Sequence, residues 1–180
     1  MKHAMGDLET WGTAPGSALR SIGVVIFDPG STVQGATFYR NIDFASQEAI
    51  GLVKDPRTEA WWAEQTIEAQ LALSEQQVPI QQALTDLARW WVAESAEYLW
   101  GHGANFDPVL LDVAYQKAFP GVANPTPWKF WNIRCSRTVL SLARRKPDRS
   151  IGTHHNALDD AKAQARAVSA AFRYGRFTPE

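Results

Sequence analysis

A chain of 180 residues with 45% hydrophobic and 21% charged side chains has the composition of one globular domain, residues 1–180, with a substantial core. No apolar run approaches the roughly 18 residues that a membrane span needs, and the N-terminus lacks the basic-then-apolar pattern of a signal peptide. The single cysteine, Cys135, excludes an internal disulfide and fits a reducing cytoplasm. The net charge of −1 conceals an asymmetry: residues 1–100 carry 6 Lys and Arg against 13 Asp and Glu, and residues 101–180 carry 12 against 6. Much of the basic excess lies in WKFWNIRCSRTVLSLARRKPDR, with Lys129, Arg134, Arg137, Arg144, Arg145, Lys146 and Arg149. It reads either as a surface for a polyanion or as a solvated helix face. The two oppositely charged halves also suit a complementary contact between subunits.

In chain order, MKHAMGDLE predicts a first strand ending near Thr10. SIGVVIFDP (21–29) and ATFYRNID (36–43), rich in β-branched and aromatic residues, predict two more strands. The short GST connection makes those two antiparallel. Residues 46–51 suit a short helix or turn. A helix begins at about Pro56 with Asp55 as its N-cap, and residues 80–94 give an amphipathic helix with Ile80, Leu84, Leu87 and Trp91 on one stripe. EYLWGHG (97–103) reads as a buried strand, and 107–119 as a helix opened by Asp107 and Pro108. A strand within 127–136, a helix over SRTVLSLARR and a long helix from about Asn156 to Tyr174 complete the chain. Leu158, Ala161, Ala165, Val168 and Phe172 form the inward stripe of that last helix. A meander followed by alternating helices and strands predicts an α/β domain with a mixed sheet.

The acidic residues fall at informative places. Asp7 and Glu9 are two apart near the end of the first strand, so both side chains point to one face. Two carboxylates that close repel unless a cation lies between them, or unless both stand in water on an exposed strand. Asp107 follows a strand and opens a helix, while His155, Asp159 and Asp160 lie at the start of the last helix. Sites in α/β sheets form beyond the carboxyl ends of strands, so these groups can converge. Four carboxylates in one pocket suit two hard divalent cations, Mg2+ or Mn2+. A zinc hydrolase built on His154 and His155 lacks a third nitrogen or sulfur ligand at useful spacing.

The set DLET (7–10), GANFD (103–107) and HNALDD (155–160) resembles the three motifs of the DEDDh, DnaQ-like 3′–5′ exonucleases. DPRTEAWWAEQ, WGHGANFD and WNIRCSRT are similar to a narrower branch, the phage-type and RNase AS-like exoribonucleases. The resemblance implies a ribonuclease H-like fold: a mixed five-stranded sheet flanked by helices on both faces. It implies Asp7, Glu9, Asp107 and Asp160 as ligands of two divalent cations, with Asp107 bound through a water, and His155 as general base. His154 and Asp159 have the same spacing, but only the register from His155 puts alanine, Ala157, at the motif's third position. Gly6 stands where an apolar β-former is expected.

The implied partner is a nucleic acid with a free 3′ end, and the implied product a 5′-mononucleotide. RNA is slightly favoured over single-stranded DNA. Backbone amides around Thr10 and Trp11 would hold the terminal 3′-hydroxyl. The Trp11 ring either stacks on a base or packs in the core, and Asn105 either binds the terminal sugar or caps the helix at Asp107. Trp61 and Trp62 are about 100° apart on their helix, so one is core and the other lines the cleft; Trp62 is included with the substrate-binding set. Arg137 contacts phosphate or a second subunit, and tryptophan enrichment adds to the case for a homodimer. A proofreading subunit and a non-catalytic binding module of the same fold are the alternatives.

Overall fold

The computed structural model describes residues 2–148, 150, 152, 153 and 155–175. His154 and Arg149 fall outside them. Strands β1 (Lys2–Thr10), β2 (Leu19–Phe27) and β3 (Gln34–Asn41) form the antiparallel meander. Helices α1 (Phe44–Glu48), α2 (Pro56–Ala63), α3 (Ile67–Ala72) and α4 (Ile80–Ala93) follow. Then come β4 (Ala96–Gly101), α5 (Asp107–Ala118), β5 (Ile133–Cys135), α6 (Ser136–Leu142) and α7 (Ala157–Tyr174). Among the described residues the sheet has five strands in the order β3-β2-β1-β4-β5, with β4 and β5 parallel to β1.

Side-chain alternation along β1 sorts the core into two layers. Ala4 and Leu8 join Leu84, Leu87, Trp91, Leu111 and Tyr115 of α4 and α5 on one face. Met5 joins Ala161, Ala165 and Val168 of α7, with Leu140 of α6, on the other. The predicted α4 stripe, Ile80, Leu84, Leu87 and Trp91, is buried throughout. The buried residues of α7 are mostly alanine, which lets that helix approach the sheet closely. At the point of contact β2 carries Gly23, where a Cβ would collide with the backbone of Ala157 and Leu158. That contact sets the height of the α7 N-terminus above the sheet.

Several boundaries differ from the sequence reading for local reasons. β2 and β3 each begin and end two residues early, because Asp28 and Asp43 spend their side chains on turns rather than extending a strand. Asp28 accepts from the Gly30 N–H at 2.8 Å, and Asp43 caps α1 by accepting from Ser46 N–H at 2.8 Å. Asp55 caps α2 as expected, with Pro56 at its first position. Helix α3, capped by Thr66, is only 6 residues long, too short to show a period. At Gly6 a Cβ would find only ordinary contacts, 3.4 Å from Leu99, so nothing in the packing requires glycine there.

Candidate active site

Met5 faces α7, so Asp7 and Glu9, two and four residues on, point to the same side of β1. Asn156 caps α7 by accepting from the Leu158 and Asp159 N–H groups, which fixes the first turn and places Asp160 in it. Oxygen atoms of Asp7, Glu9 and Asp160 all lie within 4.8 Å of one another. Among the described residues this is the one grouping of three potential metal ligands, and it is entirely carboxylate. Asp159 turns away: it accepts from the Thr153 N–H at 2.9 Å and pairs with Lys162 at 3.8 Å.

Asp107 stands just outside the trio, at the first position of α5 and 3% exposed. Its carboxylate accepts from the His102 N–H at 2.9 Å. Gly101 makes room for it, because a Cβ there would lie 3.0 Å from Asp107 Oδ2 and 2.8 Å from Pro108 Cδ. Burial pushes the Asp107 carboxyl up to about 7, against the opposing pull of backbone N–H donors and the Arg137 guanidinium. Asp7 is held well above the ordinary carboxylate range, first by burial and then by the charges of Asp107, Glu9 and Asp160. Only the Gln164 amide, donating to Asp7 at 2.7 Å from one turn beyond Asp160, works the other way. Burial of Asp7 and Asp107, and for Asp7 the crowding of neighbouring carboxylates, favours their protonated forms. An all-oxygen donor set of this kind fits hard divalent cations.

His155 occupies the turn before α7 with a left-handed backbone, φ 60°. Its ring meets Trp61 and Trp62 edge-on, with centroids 5.0 and 5.7 Å away. The tryptophan pair divides as its 100° offset requires. Trp62 is 3% exposed and donates its indole N–H to the Thr10 carbonyl at 2.8 Å, whereas Trp61 is 42% exposed. Both border a cavity of about 510 Å3 with Glu9, Thr10, Asp55 and Arg57. A second cavity, about 580 Å3, opens on the opposite, β4–β5 side and is lined by His102, Arg137, Ser141, Arg145 and Lys146.

Two expectations need correction. The Trp11 amide donates to the Ala18 carbonyl at 2.8 Å, and its ring is covered by Arg20 at 4.2 Å and Lys54 at 4.1 Å. The amide is therefore committed within the chain, and the half-buried ring packs against two cations. Asn105 does not cap α5: Phe106 holds the N-cap position, no side chain bonds there, and Asn105 is exposed. The Thr10 hydroxyl is already used, donating to the Gly12 carbonyl at 2.8 Å.

Sequence reasoning missed Gln164 and Arg20. Gln164 sits on the same α7 face as Asp160, four residues on, a spacing visible in the sequence. Arg20 was hidden by starting β2 at Ser21; within the strand it is the one charged residue.

A mixed five-stranded sheet with Asp7 and Glu9 near the end of β1, Asp107 beyond β4 and Asp160 at the start of α7 is a ribonuclease H-like fold. The chain belongs to the Rv2179c-like 3′–5′ exoribonuclease domain family, whose profile matches residues 2–172. No curated protein sequence matches it significantly. Among solved structures, the nuclease domain of 3′hExo, a DEDDh family member bound to rAMP, is 15% identical with a TM-score of 0.60. That match covers 97% of this chain and 92% of the other. A 3′-exonuclease recognising the histone mRNA stem-loop is 13% identical, TM-score 0.55, over 97% and 82%. Exonuclease I from Methylocaldum szegediense is 15% identical, TM-score 0.60, over 93% of this chain and 40% of that one.

Proposed function

We propose that this single domain removes nucleotides one at a time from the 3′ end of single-stranded RNA, releasing 5′-mononucleotides, with two divalent cations, Mg2+ or Mn2+. The observation that carries this reading is the gathering of Asp7, Glu9 and Asp160 within 4.8 Å, with Asp107 beside them. Asp7, Glu9 and Asp160 would hold the cations directly, and Asp107 through a water. When bound, the cations neutralise the phosphodiester and stabilise the departing 3′ oxygen. His155 accepts the proton of the attacking water, a part that imidazole commonly plays near neutral pH. The exposed Trp61 and the buried edge of Trp62 form the wall of the terminal-nucleotide cavity, and Thr10 its floor. Arg137, with Arg145 and Lys146, receives the phosphates of the upstream strand. RNA is preferred over DNA because the family profile is that of an exoribonuclease domain.

The test is a time course on 5′-labelled single-stranded RNA and DNA of matched sequence. Single-nucleotide shortening of the RNA, faster than of the DNA and abolished by EDTA, is expected. Cleavage of a circular RNA would contradict the exonuclease reading.

We further propose a homodimer in the reducing cytoplasm. β5 is an edge strand, and Phe130 and Trp131 just before it are 78% and 59% exposed. Sedimentation of only a 20 kDa species at micromolar concentration would refute it.

A further inference from the structure

Arg20 is a buried cation that none of these steps uses. It is 7% exposed and lies at the start of β2, at the irregularity where Glu9 pairs with Ser21 and Thr10 with Leu19. Its guanidinium carbon sits 4.2 Å from the ring centroid of Trp11 and 4.2 Å from that of Trp62. Two rings at equal, stacking distance make a clamp on a planar group. Lys54 backs the clamp, 4.1 Å from the Trp11 centroid and 4.3 Å from Phe44. Trp62 in turn meets the His155 ring edge-on, with centroids 5.7 Å apart. Cations and aromatic rings thus alternate from Lys54 through Trp11, Arg20 and Trp62 to His155.

The arrangement has a cost. Arg20 Nη1 is buried with no hydrogen-bond partner, and a buried donor without an acceptor is unfavourable. An apolar side chain of similar volume would fill the slot without that penalty. What it would not supply is a flat positive group attracted to both indole faces. Trp62 has one polar anchor, its N–H on the Thr10 carbonyl. That bond fixes one point of the ring and leaves its face to be set by what lies against it.

We propose that Arg20 is a positioning residue for the hydrolysis, clamping the Trp62 face so that Trp62 seats the His155 imidazole. This rests on the reading of His155 as general base. Arg20 touches neither substrate nor the reacting atoms; it also feels the charge of Glu9, and the positioning effect on His155 travels through Trp62. A misplacement of about 1 Å at a reacting group can cost on the order of 10²-fold in rate, so a tilt of Trp62 is enough to matter.

The experiment compares wild type, Arg20→Met, Arg20→Lys, His155→Ala and the double variant Arg20→Met/His155→Ala, each with its Tm. Arg20→Met is expected to lower kcat about 10-fold or more with little change in KM. Arg20→Lys should fail to restore it, because an ammonium is not planar. In the His155→Ala background Arg20→Met should cost almost nothing further, since the group it positions is gone. Equal losses in both backgrounds would overturn the proposal, as would a wild-type kcat in Arg20→Met. A second readout needs no turnover: the His155 ring-proton NMR signal, assigned by its loss in His155→Ala. Neighbouring indoles displace that signal, and it should move in folded Arg20→Met. An unmoved signal refutes the clamp whatever the activity; a moved signal with no RNA shortening by wild type counts against the nuclease reading alone.

Discussion

At the residue scale, the site is governed by repulsion among acids. An aspartate in an unfolded chain titrates near 3.9, whereas burial lifts folded Asp107 to about 7. Between those values the folded, metal-free chain keeps a proton that the unfolded chain has lost, so stability falls as pH rises from about 4 to 7. Asp7 is shifted in the same direction. Cations and protons compete for the same oxygens, so Mg2+ or Mn2+ should raise Tm more at pH 8 than at pH 5. Asp107→Asn should flatten the metal-free pH dependence. Equal stabilisation by cations at both pH values would place their binding elsewhere. The gathering of Asp7, Glu9 and Asp160 was legible in the sequence, since D-x-E needs only strand alternation and Asp160 only a helix start. The roles of Trp11 and Asn105 were not legible. Each depended on a partner far away or on a cap one residue off, Arg20 and Lys54 for Trp11 and Phe106 for the α5 cap.

At the element scale, the site depends on how closely α7 rests on the sheet. Asp160 comes from α7 and Asp7 and Glu9 from β1, so a small lift of the helix separates them. Gly23 sets that separation, since a Cβ there meets the backbone of Ala157 and Leu158 rather than a flexible side chain. Gly23→Ala should cost about 1–3 kcal/mol in stability, the usual range for overpacking. It should lower kcat further than that loss explains, because Asp160 moves with the helix. Chemical denaturation and initial rates on one preparation test this; an unchanged kcat in folded protein would show that helix height does not matter. Periodicity announced α4 and α7, and turn chemistry announced α2. It failed at α3, a six-residue helix too short to complete two turns, and at the ends of β2 and β3, where aspartates form turns. No pattern within one segment marks Gly23, whose partner lies more than a hundred residues away.

At the scale of the whole molecule, the sheet order lays out a path. The cavity of Trp61 and Trp62 lies on the β1–β2 side, the carboxylates at β1 and β4, and the basic cavity of Arg137, Arg145 and Lys146 on the β4–β5 side. A strand ending at Trp61 would carry its upstream phosphates over three cations. Engaging about three phosphates gives a salt slope of roughly −2 for a single strand. Arg145→Ala/Lys146→Ala should reduce that slope and raise KM for long RNA while sparing a dinucleotide; an unchanged slope would move the path elsewhere. The sequence already showed the basic excess of residues 101–180, though not that part of it borders a cavity next to Asp107.

On the proposed mechanism Asp160, and not its neighbour Asp159, completes a cation site that hydrolyses RNA. The measurement is the shortening rate of 5′-labelled RNA at saturating Mg2+ by Asp160→Asn and Asp159→Asn side by side, two neutralising changes one residue apart on one helix. Background rate in Asp160→Asn with most of the wild-type rate in Asp159→Asn is the expected result. Substantial activity in Asp160→Asn, or loss in Asp159→Asn alone, would contradict it.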